Sequence, residues 1–129
     1  MKENKITIII QAPVSEVFSF TTNPANTPKW IECIVKEETN EWPVKIGSIY
    51  KNMDNSGIWN KYILVNIEEN KVFELKSEDG NYWVKYTYNQ ISPNGSTLEY
   101  YEGVNNGDIK EPFTKETLEK LKQVIESNK

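Results

Sequence analysis

The stretch Phe113–Asn128 constrains the fold of this chain more than any other. It reads as the one long helix. Thr114 is placed to cap it, with Phe113 and Leu118 in the flanking staple positions. Leu118, Leu121 and Ile125 recur on one face, and Val124 sits at its edge. Glu116, Glu119, Lys120, Gln123 and Glu126 occupy the rest, with Glu116 four residues ahead of Lys120 in the favourable order. Nearly everything between residues 44 and 101 reads as strand. A helix laid across a strongly bent antiparallel sheet buries both apolar surfaces.

The remaining pattern supports that arrangement. Lys5–Gln11 is a β-branched strand ended by Pro13. Pro13–Thr21 reads as a short helix with Val14, Val17 and Phe18 inward. Pro24–Trp30 reads as a second helical piece, which Pro28 keeps short or partly 3₁₀. Ile31–Glu37 resumes an extended pattern. Asn40–Trp42 is a bend before Pro43. Strands follow at Ser48–Met53, Ile58–Ile67, Val72–Ser77, Tyr82–Gln90 and Ser96–Tyr101, separated by polar turns of which Asp79-Gly80 is the strongest signal. Gly103–Asp108 is loose, polar and expected to be mobile. Short hairpins imply antiparallel neighbours, and that many twisted strands curl.

At 129 residues with no repeat or linker, the chain is expected to form a single domain spanning 1–129. A net charge of -4 without a basic run disfavours nucleic acid as a partner. One cysteine excludes an internal disulfide framework. Neither a signal peptide nor a run long enough to span a membrane is visible, so the cytoplasm is the expected compartment and membrane insertion is not expected.

The chain also resembles the START-related helix-grip superfamily (SRPBCC or Bet v 1-like), in its polyketide cyclase/dehydratase-like branch. The resemblance is carried by Ile10-Gln11-Ala12-Pro13-Val14-Ser15-Glu16-Val17-Phe18, by Thr22-Asn23-Pro24-Ala25-Asn26-Thr27-Pro28-Lys29-Trp30 and by Trp42-Pro43-Val44-Lys45-Ile46-Gly47-Ser48. Leu118, Leu121 and Lys122 match the usual ending. It covers the chain in outline and is most specific in residues 10–30. It implies an α+β helix-grip fold, with one curved antiparallel sheet of about seven strands around the C-terminal helix and two short helices after the first strand. It further implies an internal cavity for an apolar or aromatic ligand. The chain departs from the pattern in its polar loop Asn105–Asp108 and in a grip helix of about fourteen residues, roughly 21 Å.

The absence of histidine removes the commonest general base and metal ligand. No metal site or cofactor is expected, because Cys33 and scattered carboxylates do not make a zinc site, and no phosphate-binding or dinucleotide motif occurs. Glu37-Glu38 and Glu68-Glu69 are adjacent in strands, so their side chains point apart and neither pair is a dyad. No catalytic residue is assigned. Glu32, after Trp30, is the one carboxylate considered for the cavity.

The aromatics are better candidates: four Trp, seven Tyr and four Phe. Tyr82, Val84, Tyr86 and Tyr88 alternate against the more polar Trp83, Lys85, Thr87 and Asn89, so the tyrosine face is read as inner. Tyr100 shares parity with Leu98. Trp30 is placed to plug one end of the groove. Trp59 and Tyr62 have opposite parity, so at most one faces in unless a bulge intervenes. The expected ligand-binding residues are Trp30, Trp59, Tyr62, Tyr86 and Tyr100, around a closed or narrow-mouthed cavity. The reading is a binding protein for a small apolar or aromatic molecule. The alternatives are a cyclase-like enzyme using tyrosine hydroxyls and a carboxylate, and a cochaperone-like interaction domain, which lacks a recognisable outer apolar stripe.

Overall fold

A computed structural model of the protein describes residues 2–127. Met1, Asn128 and Lys129 lie outside the described residues, including the last residue of the expected helix. The chain runs β1 (Lys2–Ile10), α1 (Val14–Thr22), a 3₁₀ helix (Pro24–Lys29), β2 (Ile34–Thr39), β3 (Ile49–Asp54), β4 (Trp59–Glu68), β5 (Val72–Ser77), β6 (Tyr82–Ser92), β7 (Gly95–Val104) and α2 (Lys115–Ser127). The strands form one 7-stranded antiparallel sheet in the order β1-β7-β6-β5-β4-β3-β2. The sheet curves around α2, and the two short helices follow β1. This is the expected α+β helix-grip architecture.

Each element follows from a local cause. Pro13 precedes α1, and Glu16 sits in its first turn, where the helix dipole favours a negative charge. Pro24–Lys29 is 3₁₀ throughout, with Pro28 inside it and the Asn23 side chain accepting from Ala25 N–H at its start. Thr114 caps α2, its Oγ1 accepting from Thr117 N–H at 3.3 Å. Leu118, Leu121 and Ile125 are buried in the concave face. Lys122 Nζ donates to the Ile9 carbonyl at 2.9 Å, and Glu126 Oε2 accepts from Gln11 N–H at 2.8 Å, tying the helix to the first strand.

Three differences from the sequence reading bear on the site. The extended stretch after Trp30 becomes strand only at Ile34, because Ile31 N–H and Ile34 N–H are used in successive tight turns. In α1 the buried positions are Val17, Phe20, Thr21 and Thr22, while Val14 and Phe18 are half-buried. The third difference is at β7, which continues past Tyr101 to Val104, so Gly103 is a strand residue. A side chain there would meet the Tyr101 hydroxyl at 2.9 Å and the Trp83 ring at 3.3 Å, which accounts for the glycine. The polar segment that follows is hydrogen-bonded rather than loose. Asn105 N–H donates to the Asn81 carbonyl, and Asn106 N–H to the Asn81 side chain, both at 2.9 Å.

Candidate functional site

Strand alternation builds the inner wall. Val84, Tyr86 and Tyr88 of β6 and Leu98, Tyr100 and Glu102 of β7 are all buried. Tyr86 stands opposite Tyr100, their rings edge-to-face at 5.3 Å. Trp30, just after the 3₁₀ helix, meets Tyr86 edge-on at 6.4 Å. Phe113 comes in from the lead of α2, stacked on Tyr100 at 4.3 Å and edge-on to Trp30 at 5.7 Å. Its ring occupies the wedge between sheet and helix.

The lead of α2 is anchored by a residue that the sequence reading passed over. Glu102 is 0% exposed. Its Oε2 accepts from Asn4 Nδ2 at 2.8 Å and from Phe113 N–H at 2.7 Å. Its Oε1 accepts from the Tyr82 hydroxyl at 2.7 Å and more distantly from Tyr100 at 3.4 Å. Asn4 also donates to the Phe113 carbonyl at 2.8 Å, so the backbone of Phe113 is held at both groups. The signal was in the alternation: Leu98, Tyr100 and Glu102 share parity.

Trp30, Tyr86 and Tyr100 thus lie together. Tyr62 is half-buried at their margin, 6.3 Å from the Tyr82 ring. Trp59 is separated from them. It is 37% exposed on the outer face, with Lys51 Nζ 4.8 Å from its ring centroid. The bulge in β4 falls after both residues, between Leu64 and Asn66, so their opposite parity holds.

Most tyrosine hydroxyls in the concavity are already engaged. Tyr50 donates to the Thr22 carbonyl at 2.7 Å, and Tyr88 pairs with Thr21 Oγ1 at 2.7 Å. Burial and the nearby Glu37 push Tyr62 up to about 12. Burial drives Tyr86 and Tyr100 well above the ordinary phenol value. None is poised as a base near neutral pH.

Glu37 and Glu38 do point apart. Glu38 faces out toward Lys36 and Lys51. Glu37 faces in, accepting from Thr27 Oγ1 at 2.6 Å and Asn52 Nδ2 at 3.3 Å. Burial raises its pKa above the ordinary 4.5, although these two hydrogen bonds oppose the shift. With the native value raised, the unfolded chain loses its proton first. Glu37 therefore costs stability as pH rises from about 4.5 through its native pKa. Glu37→Gln is expected to be more stable than the parent above that window, with the difference vanishing below pH 4.5. Urea unfolding across pH checks this, and a constant difference would refute it.

In place of the expected closed or narrow-mouthed cavity, the described residues form a cleft open to solvent, of about 310 Å³, which Tyr86 and Tyr100 do not line. Trp30, Ile31 and Phe113 line it, and Glu32, Glu111, Glu116 and Lys120 stand around them. Of the five expected ligand residues, Trp30 is the one that lines this cleft. Trp30 is 1% exposed, and its indole N–H is buried without a hydrogen-bond partner among the described residues. Glu32 does not enter the interior as considered. It is exposed, 3.4 Å from Lys120 Nζ. Cys33 also lines the cleft, and burial, reinforced by Glu111, pushes its thiol up. A wider, more polar depression of about 460 Å³ lies between Glu16, Asn23, Asn26 and Ile125. Among the described residues no cluster of His, Cys, Asp or Glu could hold a metal ion, and no helix is long and apolar enough to cross a membrane.

No protein-family model and no curated protein matches the chain. Solved structures do. A START superfamily protein from Mycobacterium smegmatis matches with a TM-score of 0.78 at 11% identity, covering 98% of this chain and 99% of that one. The Aha1 dimer from Colwellia psychrerythraea matches at 0.71 and 16% identity, covering 100% and 99%. The di-domain ARO/CYC protein BexL of the BE-7585A biosynthetic pathway matches at 0.66 and 12% identity, over 81% of this chain and 36% of that one. At such identities the likeness is one of fold: the chain has the START-like helix-grip fold.

Proposed function

We propose that the protein binds a small apolar or aromatic molecule in the wedge between sheet and grip helix, entering by the Trp30–Phe113 cleft. One observation carries this reading. The Phe113 ring, stacked on Tyr100 and edge-on to Trp30, borders an open cleft of about 310 Å³, within the usual range for small-molecule sites. The backbone of Phe113 is pinned by Glu102 and Asn4, while its side chain is held by ring contacts alone.

Phe113→Ala is expected to bind the neutral probe N-phenyl-1-naphthylamine more tightly than the parent, with fluorescence enhancement that saturates. It should cost somewhat less than the roughly 3–5 kcal/mol of a fully buried Phe→Ala change, since Phe113 is only half-buried. Absence of saturable binding in both proteins would refute the reading. Cys33 supplies an independent footprint: bound probe should slow its alkylation.

Turnover is not part of the proposal. Glu32 is exposed, and the Tyr82 and Tyr100 hydroxyls are committed to Glu102. The interaction-domain alternative, and with it the likeness to the Aha1 dimer, has one observation in its favour. Trp59, Ile63 and Val65 of β4 are exposed on the outer face, an apolar strip that the sequence reading did not recognise.

A further inference from the structure

We infer that the Trp30–Phe113 cleft selects uncharged aromatic molecules bearing a hydrogen-bond acceptor, such as an aryl ketone, and rejects carboxylates. The inference rests on the binding reading above and adds the chemistry of its ligand.

Two independent features set that chemistry. The first is the indole N–H of Trp30, a donor buried with no partner among the described residues. Leaving such a donor unpaired is unfavourable, and a ligand oxygen would relieve it. Trp30 and Phe113 both line the cleft, their rings edge-to-face at 5.7 Å, so a ligand seated there lies against the indole. Next to Trp30, the Tyr86 hydroxyl also makes no hydrogen bond among the described residues.

The second feature is the charge around the mouth. Glu32, Glu111 and Glu116 surround the cleft against one cation, Lys120, which Glu32 already engages at 3.4 Å. Among the described residues, Glu111 and Glu116 have no cationic partner. Glu111 instead faces the Cys33 thiol. An anionic ligand would meet uncompensated negative charge at a site that offers an acceptor-seeking donor inside. A neutral acceptor meets the donor without the repulsion.

The test uses three probes built on one ring system: 2-acetylnaphthalene, naphthalene and 2-naphthoate, the first and last being nearly isosteric. Binding is followed by titration of the ¹⁵N-labelled protein, with the Trp30 indole resonance assigned by its loss in Trp30→Phe. The ketone should bind and move that resonance downfield, whereas naphthalene should bind without the downfield shift. Naphthoate should bind at least about tenfold more weakly than the ketone, with the gap narrowing as salt rises. The Glu111→Gln/Glu116→Gln double variant should recover most of the naphthoate affinity. Naphthoate binding as tight as the ketone, or a bound ketone that leaves the Trp30 resonance unmoved, would overturn the selectivity while leaving the binding reading intact. If none of the three binds to the parent or to Phe113→Ala, the binding reading itself falls.

Discussion

Replacing Leu121 with alanine is expected to cost roughly 2–5 kcal/mol, a large part of the stability of a domain this size. Leu121 is fully buried at the centre of the α2 stripe, between Leu118 and Ile125. The helix has little to hold it except that stripe. Its polar ties, Lys122 to Ile9 and Glu126 to Gln11, are exposed and worth little by comparison. Equilibrium urea unfolding measures the loss. A change below about half a kcal/mol would mean that the helix does not grip the sheet.

The second large effect is expected at Glu102. Glu102→Ala should destabilise by on the order of 3 kcal/mol or more, because it strands several buried donors together. Asn4 Nδ2, Phe113 N–H and the Tyr82 hydroxyl all lose their acceptor. Glu102→Gln is the informative companion. Its amide oxygen can take the Oε2 position and accept from Asn4 and Phe113. Its amide NH₂ then faces the hydroxyls of Tyr82 and Tyr100, which can accept as well as donate. The glutamine variant should therefore keep most of the stability that alanine loses. If both variants unfold together, the carboxylate charge matters more than its hydrogen bonds. If both match the parent, the lead of α2 is not anchored there. Because Phe113 is held through Glu102, the alanine variant should also loosen the wedge and change probe binding.

The two residues show what could be read from the chain and what could not. Leu121 was legible because a helical stripe repeats with a period that only one secondary structure produces. The parity of Leu98 and Tyr100 was equally legible, but the last strand was read as ending at Tyr101, one residue short of Glu102, and a carboxylate at a strand end is usually solvated. Nothing local marked this one as buried beneath Phe113 and Asn4, about a hundred residues apart in sequence. Phe113 itself was read as a staple for the helix. Its stacking on Tyr100 depends on how the helix lead crosses the sheet.

Local pattern determined the elements of this protein, their order and the inward face of β6, because period, turn chemistry and proline position act over a few residues. It also determined that Glu37 and Glu38 point apart, and that Trp59 and Tyr62 face opposite ways. Which member of each pair faces inward was decided by the sheet: Glu37 lies opposite Asn52, and Tyr62 opposite Tyr50, whose side chains are buried on the concave side. The wedge, the unpartnered indole of Trp30 and the acidic mouth are likewise tertiary. They join the end of the 3₁₀ helix, the seventh strand and the lead of the last helix, and no short-range pattern encodes a contact among segments so far apart.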